Sequence, residues 1–212
     1  KSPLSAIRGA AELLREPVPD EARRRFTANI AEQVQRIQDL VDRLLQLASL
    51  EKRRTLDDPQ PVCLRDLADG VVASLDPVAQ VKGVTLQNRA PEGLAVWGDP
   101  FLLRQALANL VQNAIEFSPR GAPVEVAAIP VGRDVELSVR DQGPGIPDFA
   151  LDRVFEKFYS LRRPDTGKKS TGLGLSFVRE IAQLHRGAAA LANHPEGGAV
   201  ATLHLPAFTA SR

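Results

Sequence analysis

The stretch Val135-Glu136-Leu137-Ser138-Val139-Arg140-Asp141-Gln142-Gly143-Pro144-Gly145-Ile146 decides how most of this sequence is read. Val135 to Arg140 alternates apolar and polar residues, the period of a strand with one face buried. At Asp141 the alternation stops in a loop of two glycines and a proline, where neither strand nor helix continues. A carboxylate therefore stands at a strand end, beside glycines whose backbone can come close to a ligand. As an isolated string, D-x-G-x-G is also a common tight turn.

Working outward, Val124 to Pro130 pairs with this strand as a hairpin around Gly132-Arg133. Upstream lie a strand at Val62 to Leu64, a helix from Leu67 to Val81, and short strands at Val84 to Asn88 and Leu94 to Trp97. A helix follows from Pro100 to Phe117, with the proline tolerated in its first turn. Downstream come a short helix, a polar segment, a helix from Gly174 to His185, and strands at Ala188 to Leu191 and Val200 to Leu205. Antiparallel strands with helices gathered on one face predict an α+β fold, a two-layer α/β sandwich.

Residues 1–54 have another texture. Leu4, Ile7, Ala11 and Leu14 recur at helical spacing, and Pro17 and Pro19 break the pattern. Asp20 reads as the N-cap of a second helix, whose seam is Phe26, Ile30, Val34, Ile37, Val41, Leu44, Leu45 and Ala48. This is a helical hairpin. Two seams alone make a thin core, so pairing with a second copy into a dimerising four-helix bundle is expected. The alternative is packing of the hairpin on its own domain. The expected division is 1–54 for the hairpin and 55–212 for the sandwich.

The 212 residues are 43% hydrophobic and 25% charged, with a net charge of +1, the composition of an ordinary globular chain. Near-neutrality gives no basic footprint for nucleic acid, and none is expected as a partner. The single Cys63 excludes an internal disulfide. There is no membrane-length apolar run. The chain lacks methionine and starts at Lys1-Ser2-Pro3, so further sequence is expected upstream, and any link to a membrane with it.

Two more strings join Asp141 to Gly145 as candidates for chemistry. Asn109 and Asn113 lie one turn apart on one helical face, where their amide oxygens can serve a hard cation such as Mg²⁺ or simply solvate the helix. Ser170-Thr171-Gly172-Leu173-Gly174-Leu175 leads into a helix, and N–H groups at a helix start form a phosphate cradle. The basic stretch before it, Leu161 to Lys169, reads as a lid over polyphosphate or as a solvated loop.

In this order the motifs resemble those of sensor histidine kinases, a branch of the ATPase superfamily that includes gyrase B, Hsp90 and MutL. Asn109 to Asn113 is similar to the N box, Asp141 to Gly145 to the G1 box, Val154 to Tyr159 to the F box, and Gly172 to Leu175 to the G2 box. Lys1 to Ile7 resembles the sequence that follows the phospho-acceptor histidine. The stretches Phe155 to Leu161 and Ser170 to Val178 look most like CreC-type members of the family.

The resemblance implies a Bergerat-type pocket for ATP and Mg²⁺. Asp141 would bond the adenine amine, with Gly143, Gly145 and Ile146 shaping the pocket and Phe117 and Tyr159 beside the base. Asn113, with Asn109, would hold the metal; Arg162, Lys168, Thr171, Gly172, Leu173, Gly174 and Leu175 would serve the phosphates. It also implies a homodimer, a response-regulator receiver domain as partner, and the cytoplasmic portion of a bacterial inner-membrane protein. The acceptor histidine would fall three residues before Lys1, and His185, His194 and His204 match no acceptor position. The chain as given is thus expected to bind ATP without phosphorylating itself.

Three positions stand out. Glu116 lies where the family commonly has a cation, which calls for compensation from Arg162, Arg163 or Lys168. Ser170 replaces the first glycine of the usual G2 run. These two features leave a catalytically weak, nucleotide-binding scaffold as the alternative function. Ser2 falls where a phosphatase residue is often found.

Overall fold

The computed structural model describes residues 3–167 and 169–208. The chain divides into two compact units, one ending at Ser49 and the other beginning at Leu50. The first unit consists of helix α1 (Pro3–Leu13) and most of α2 (Asp20–Lys52). Asp20 is the first residue of α2 rather than its cap, and Arg23 N–H donates to the Pro19 carbonyl (2.9 Å). Asp20 and Glu21 thus place negative charge on the first turn, where the helix dipole favours it. The predicted seam is only partly covered within one chain: Leu4, Val34, Val41 and Leu45 are exposed, while Ile7, Phe26, Ile30 and Ile37 are half-buried.

In the second unit, β1 (Gln60–Cys63) leads into α3 (Leu64–Lys82), followed by β2 (Thr85–Asn88), β3 (Ala95–Gly98) and α4 (Pro100–Phe117). The hairpin of β4 (Pro123–Val131) and β5 (Asp134–Arg140) comes next, then the short α5 (Asp148–Leu151), α6 (Gly174–Leu184), β6 (Ala188–Asn193) and β7 (Ala199–Pro206). The order β2-β4-β5-β7-β6 makes a five-stranded sheet, while β1 and β3 form a separate pair. Helices α3, α4 and α6 pack together, and α4 and α6 lie on the sheet. The expected α+β two-layer sandwich is what the chain forms.

One expectation about the sheet is corrected. The strands are not all antiparallel: β2 runs parallel to β4, with Thr85 opposite Pro123 and Asn88 opposite Val126. The chain passes through β3 and α4 between them, a connection long enough for a parallel crossover. Leu64 also begins α3 instead of ending β1.

Alternation in the strands accounts for the core. Val124, Val126 and Ala128 of β4, Val135, Leu137 and Val139 of β5, and Leu203 and Leu205 of β7 are buried. Opposite them α4 buries Leu103, Ala106, Leu107, Leu110, Val111 and Ile115. Asp99 starts this helix by accepting from Phe101 N–H (2.9 Å) and Leu102 N–H (3.1 Å), a cap worth about 1 kcal/mol.

The start of α4 is tied to the end of α6 by His185, which is 5% exposed. Its Nε2 accepts from Asp99 N–H (3.0 Å), which leaves Nδ1 to donate to the Ile181 carbonyl (2.7 Å). The bond from Asp99 N–H needs the neutral ring, because a protonated Nε2 cannot accept it. Burial lowers the His185 pKa below 6.5, against the opposing pull of the Ile181 carbonyl and the Asp99 carboxylate. The unfolded chain therefore takes up a proton here before the native one does. This residue's contribution to stability is complete above pH 6.5 and declines as pH falls toward the depressed native value. We expect the urea midpoint to drop between about pH 7.5 and about pH 5.5, and to drop less in His185→Gln. An equal drop in both proteins would remove His185 as the cause.

Candidate functional site

One cleft gathers most of the residues singled out by the motifs. Asp141, at the end of β5, is only 8% exposed. Its Oδ1 accepts from Gly143 N–H (2.7 Å) and Ala199 N–H (3.1 Å), and its own N–H donates to the Ala199 carbonyl (3.0 Å). No donor among the described residues reaches Oδ2. Burial raises the carboxyl pKa above its ordinary 3.8, and the two backbone N–H groups pull it partly back. A buried carboxylate with one oxygen unpaired is a site for a hydrogen-bond donor.

The surfaces around Asp141 are apolar. Leu110 and Ala114 contribute from α4, Val139 from β5, and Leu191, Ala199 and Ala201 from β6 and β7. Ile146 and Val154 close one side as part of a small cluster with Ala150 and Ala199. A largely apolar cleft lined by a single carboxylate suits a heteroaromatic ring that carries an amine.

Of the residues predicted from sequence, Asn113, Phe117, Asp141, Gly145 and Ile146 line this cleft. So do Tyr159, Gly172, Gly174 and Leu175. Gly143 does not line it; a β-carbon there would sit 2.7 Å from the Phe117 carbonyl oxygen, so this glycine is wedged behind Asp141. Thr171 is absent from the lining, and Leu173 is 2% exposed, its side chain buried in the core. Arg162 lies in the loop before α6, where it forms a strand bridge with Lys169 and donates to the Gly167 carbonyl (3.4 Å). Lys168 and Ser2 lie outside the described residues.

The two asparagines differ in placement. Asn113 faces the cleft, whereas Asn109 donates its Nδ2 to the Gln105 carbonyl (2.9 Å) and keeps Oδ1 beside Gly174. Among the described residues no three His, Cys, Asp or Glu side chains come together as a metal cage. Asn109 Oδ1 lies beside Gly174 at the start of α6, and an amide oxygen there could serve Mg²⁺, which fills the rest of its shell with phosphate and water. The residues fit that ion.

The segment from Ser160 to Ser170 is fastened at its base and near Arg163 and Asp165. At the base, Ser160 Oγ lies 2.9 Å from Ser170 Oγ and accepts from Ser170 N–H (3.0 Å). Phe158 N–H donates to the Gly172 carbonyl (2.9 Å). Farther along, Arg163 donates Nε and Nη2 to Glu116 Oε2 (2.8 and 2.7 Å), and Gln112 donates to Glu116 Oε1 (3.0 Å). Asp165 pairs with Lys82 of α3. Of the cations expected to offset Glu116, Arg163 is its partner among the described residues, and Lys168 lies outside them.

Comparison with known proteins agrees with this layout. Residues 98–209 match the family described as histidine kinase-, DNA gyrase B-, and HSP90-like ATPase, and residues 1–53 match the His Kinase A (phospho-acceptor) domain. The chain belongs to the sensor histidine kinase family. It is similar to the sensor protein CreC of Escherichia coli (strain K12), at 46% identity over 97% of this chain and 43% of that protein. The sensor-like histidine kinase SenX3 of Mycolicibacterium smegmatis is 33% identical over 98% of this chain and 55% of its own length. Among solved structures, full-length ShkA in complex with AMPPNP superposes with a TM-score of 0.75 at 27% identity, covering 99% of this chain and 44% of that one. The chain spans about half the length of the curated relatives it matches. Among the described residues, no helix of this family member is long and apolar enough to cross a membrane.

Sequence reasoning missed several parts of the site. Leu110, Ala114, Val139, Leu191 and Ala201 read as ordinary core positions, because the apolar wall of a cleft has the same periodicity as a core. Ser160 carried no signal of its own. Asn193 was also missed; its carboxamide meets the backbone of Ile146.

Proposed function

We propose that the chain is the catalytic end of a protein-histidine kinase in a two-component system, divided near residue 54 into a dimerising hairpin and an ATP-binding domain. The observation that carries this reading is the buried Asp141, which lines a largely apolar cleft with its Oδ2 unpaired, beside the glycine-rich start of α6. Oδ2 accepts from the adenine amine. Gly143, Gly145 and Ile146 shape the loop, and Phe117 and Tyr159 flank the base. Asn113, with Asn109, holds Mg²⁺, which when bound neutralises charge on the phosphates. The backbone from Thr171 to Leu175 receives the phosphates at the α6 N-terminus, with Arg162 and Lys168 supplying charge from the lid.

The acceptor is a histidine three residues before Lys1. Its imidazole nitrogen bonds to the γ-phosphorus as the bond to the β–γ bridging oxygen breaks, and ADP leaves with the electron pair. The phosphoryl group then passes to an aspartate of a response-regulator receiver domain, and Ser2, at the sequence position where the family's phosphatase activity often uses threonine or asparagine, would serve hydrolysis of that phosphoaspartate. The exposed seam of α1 and α2 is the surface for a second copy of the chain. The chain is the cytoplasmic portion of an inner-membrane protein.

The scaffold alternative rested on Glu116 and Ser170. Each has a partner in the structure, Arg163 for the first and Ser160 for the second. The Arg163 partner supports catalysis by neutralising Glu116, whereas the Ser160 bonds restrain Ser170 where a glycine would be free, so the scaffold reading rests on Ser170 alone.

A chain extended through the expected histidine, given Mg²⁺ and γ-labelled ATP, should acquire acid-labile, base-stable phosphate that disappears when this histidine becomes alanine. Nucleotide binding with no phosphoprotein would favour the scaffold. Hydrolysis with no phosphoprotein would favour an ATP-driven clamp.

A further inference from the structure

Asn193, the last residue of β6, lies 47 positions from the loop it touches. Its Oδ1 accepts from Ile146 N–H (2.6 Å) and its Nδ2 donates to the Ile146 carbonyl (2.8 Å). A carboxamide is the one small side chain able to meet both groups of a single residue in this way. The pair imitates a strand neighbour for a residue that belongs to no strand. Gly145 is adjusted to the same contact: its φ is 76°, and a β-carbon there would stand 2.7 Å from Asn193 Oδ1.

The turn that begins at Asn193 ends at Ala199, whose N–H and carbonyl hold Asp141. One turn of the β6–β7 hairpin therefore grips both ends of the loop from Asp141 to Ile146. Between the grips are Gly143, Pro144 and Gly145, a segment with much backbone freedom to lose on ordering. Ile146 is itself a wall of the cleft, packed with Ala150, Val154 and Ala199.

We propose that Asn193 is a positioning residue of the nucleotide site, splinting Ile146 so that the loop beside Asp141 is ordered before adenine arrives. This rests on the ATP-binding reading above. Without the splint, the ordering cost falls on binding. The effect is directed at adenine and not at the phosphates, because among the described residues Asn193 makes its side-chain hydrogen bonds to Ile146.

The test uses Asn193→Ala in the full chain, titrated with ATP and with ADP, while amide exchange is followed at Ile146. We expect both affinities to weaken by about 10-fold with their ratio unchanged, and the Ile146 amide to exchange faster while those of β4 and β5 do not. Asn193→Asp keeps the acceptor for Ile146 N–H and loses the donor, so it should fall between wild type and Asn193→Ala. Affinities within two-fold of wild type, or losses that merely follow the unfolded fraction in both variants, would overturn the proposal. A wild-type chain that binds neither nucleotide would instead remove the ATP-binding reading, and this inference with it.

Discussion

Asp141→Asn should lose adenine-nucleotide binding by at least about 100-fold and, in the same protein, raise the unfolding midpoint of the free chain. The two effects come from the same atoms. Asparagine can keep the acceptor at Oδ1 for Gly143 and Ala199, so the local backbone has no reason to move. At Oδ2 it substitutes an N–H donor, which would face the donor amine of adenine with no acceptor between them. The stability gain follows from burial. The Asp141 pKa is raised above 3.8, so through the window above 3.8 the native state holds its proton longer than the unfolded chain does. Stability therefore falls as pH rises through that window, and the penalty of a buried charge persists at neutral pH. Asparagine carries no charge and escapes it. Calorimetric titration with an ATP analogue and a urea melt at neutral pH check the two halves. Retained affinity would sink the adenine assignment, and a lower midpoint would show that the carboxylate stabilises the free chain.

Gly172→Ala is expected to weaken nucleotide binding by at least about 30-fold and to make the lid sensitive to protease, with the sheet still folded. Gly172 has φ 69°, and a β-carbon there would lie 2.5 Å from the Phe158 carbonyl carbon and 2.6 Å from the Tyr159 carbonyl oxygen. Both are backbone atoms, so no flexible side chain can yield. Phe158 is itself held at φ 65° and bonded to the Gly172 carbonyl, so this crossing fixes the base of the loop between them. Gly167→Ala is the control. Its φ is 62°, yet nothing lies within 4 Å of the added carbon, so only about 1 kcal/mol of backbone strain is expected, with little change in affinity. If the two variants behave alike, backbone strain and not the close crossing governs the lid.

Much of the fold could be read in the sequence because its elements are strongly periodic. The α4 helix starts and stops at the residues its proline and apolar spacing indicate. The β4–β5 hairpin is legible from two alternating runs around Gly132-Arg133. The direction of β2 was not, because four residues carry no mark of whether their partner is parallel. In the site, residues with unusual chemistry in a helix or loop were visible, among them Asn113, Asp141, Gly145 and Gly172. Its apolar walls were not, since Val139 and Leu191 look the same whether they face a cleft or a core.

By itself, the sequence determined the two-part organisation, the α+β sandwich and the chain positions of the glycine-rich loops, all features that depend on near neighbours. Only the tertiary structure decided which partners those residues would have. Glu116 is answered by Arg163, Ser170 by Ser160 and Ile146 by Asn193 across separations of 47, 10 and 47 residues. Such contacts leave no periodic trace, because they depend on where the folded chain returns in space and not on local backbone preference.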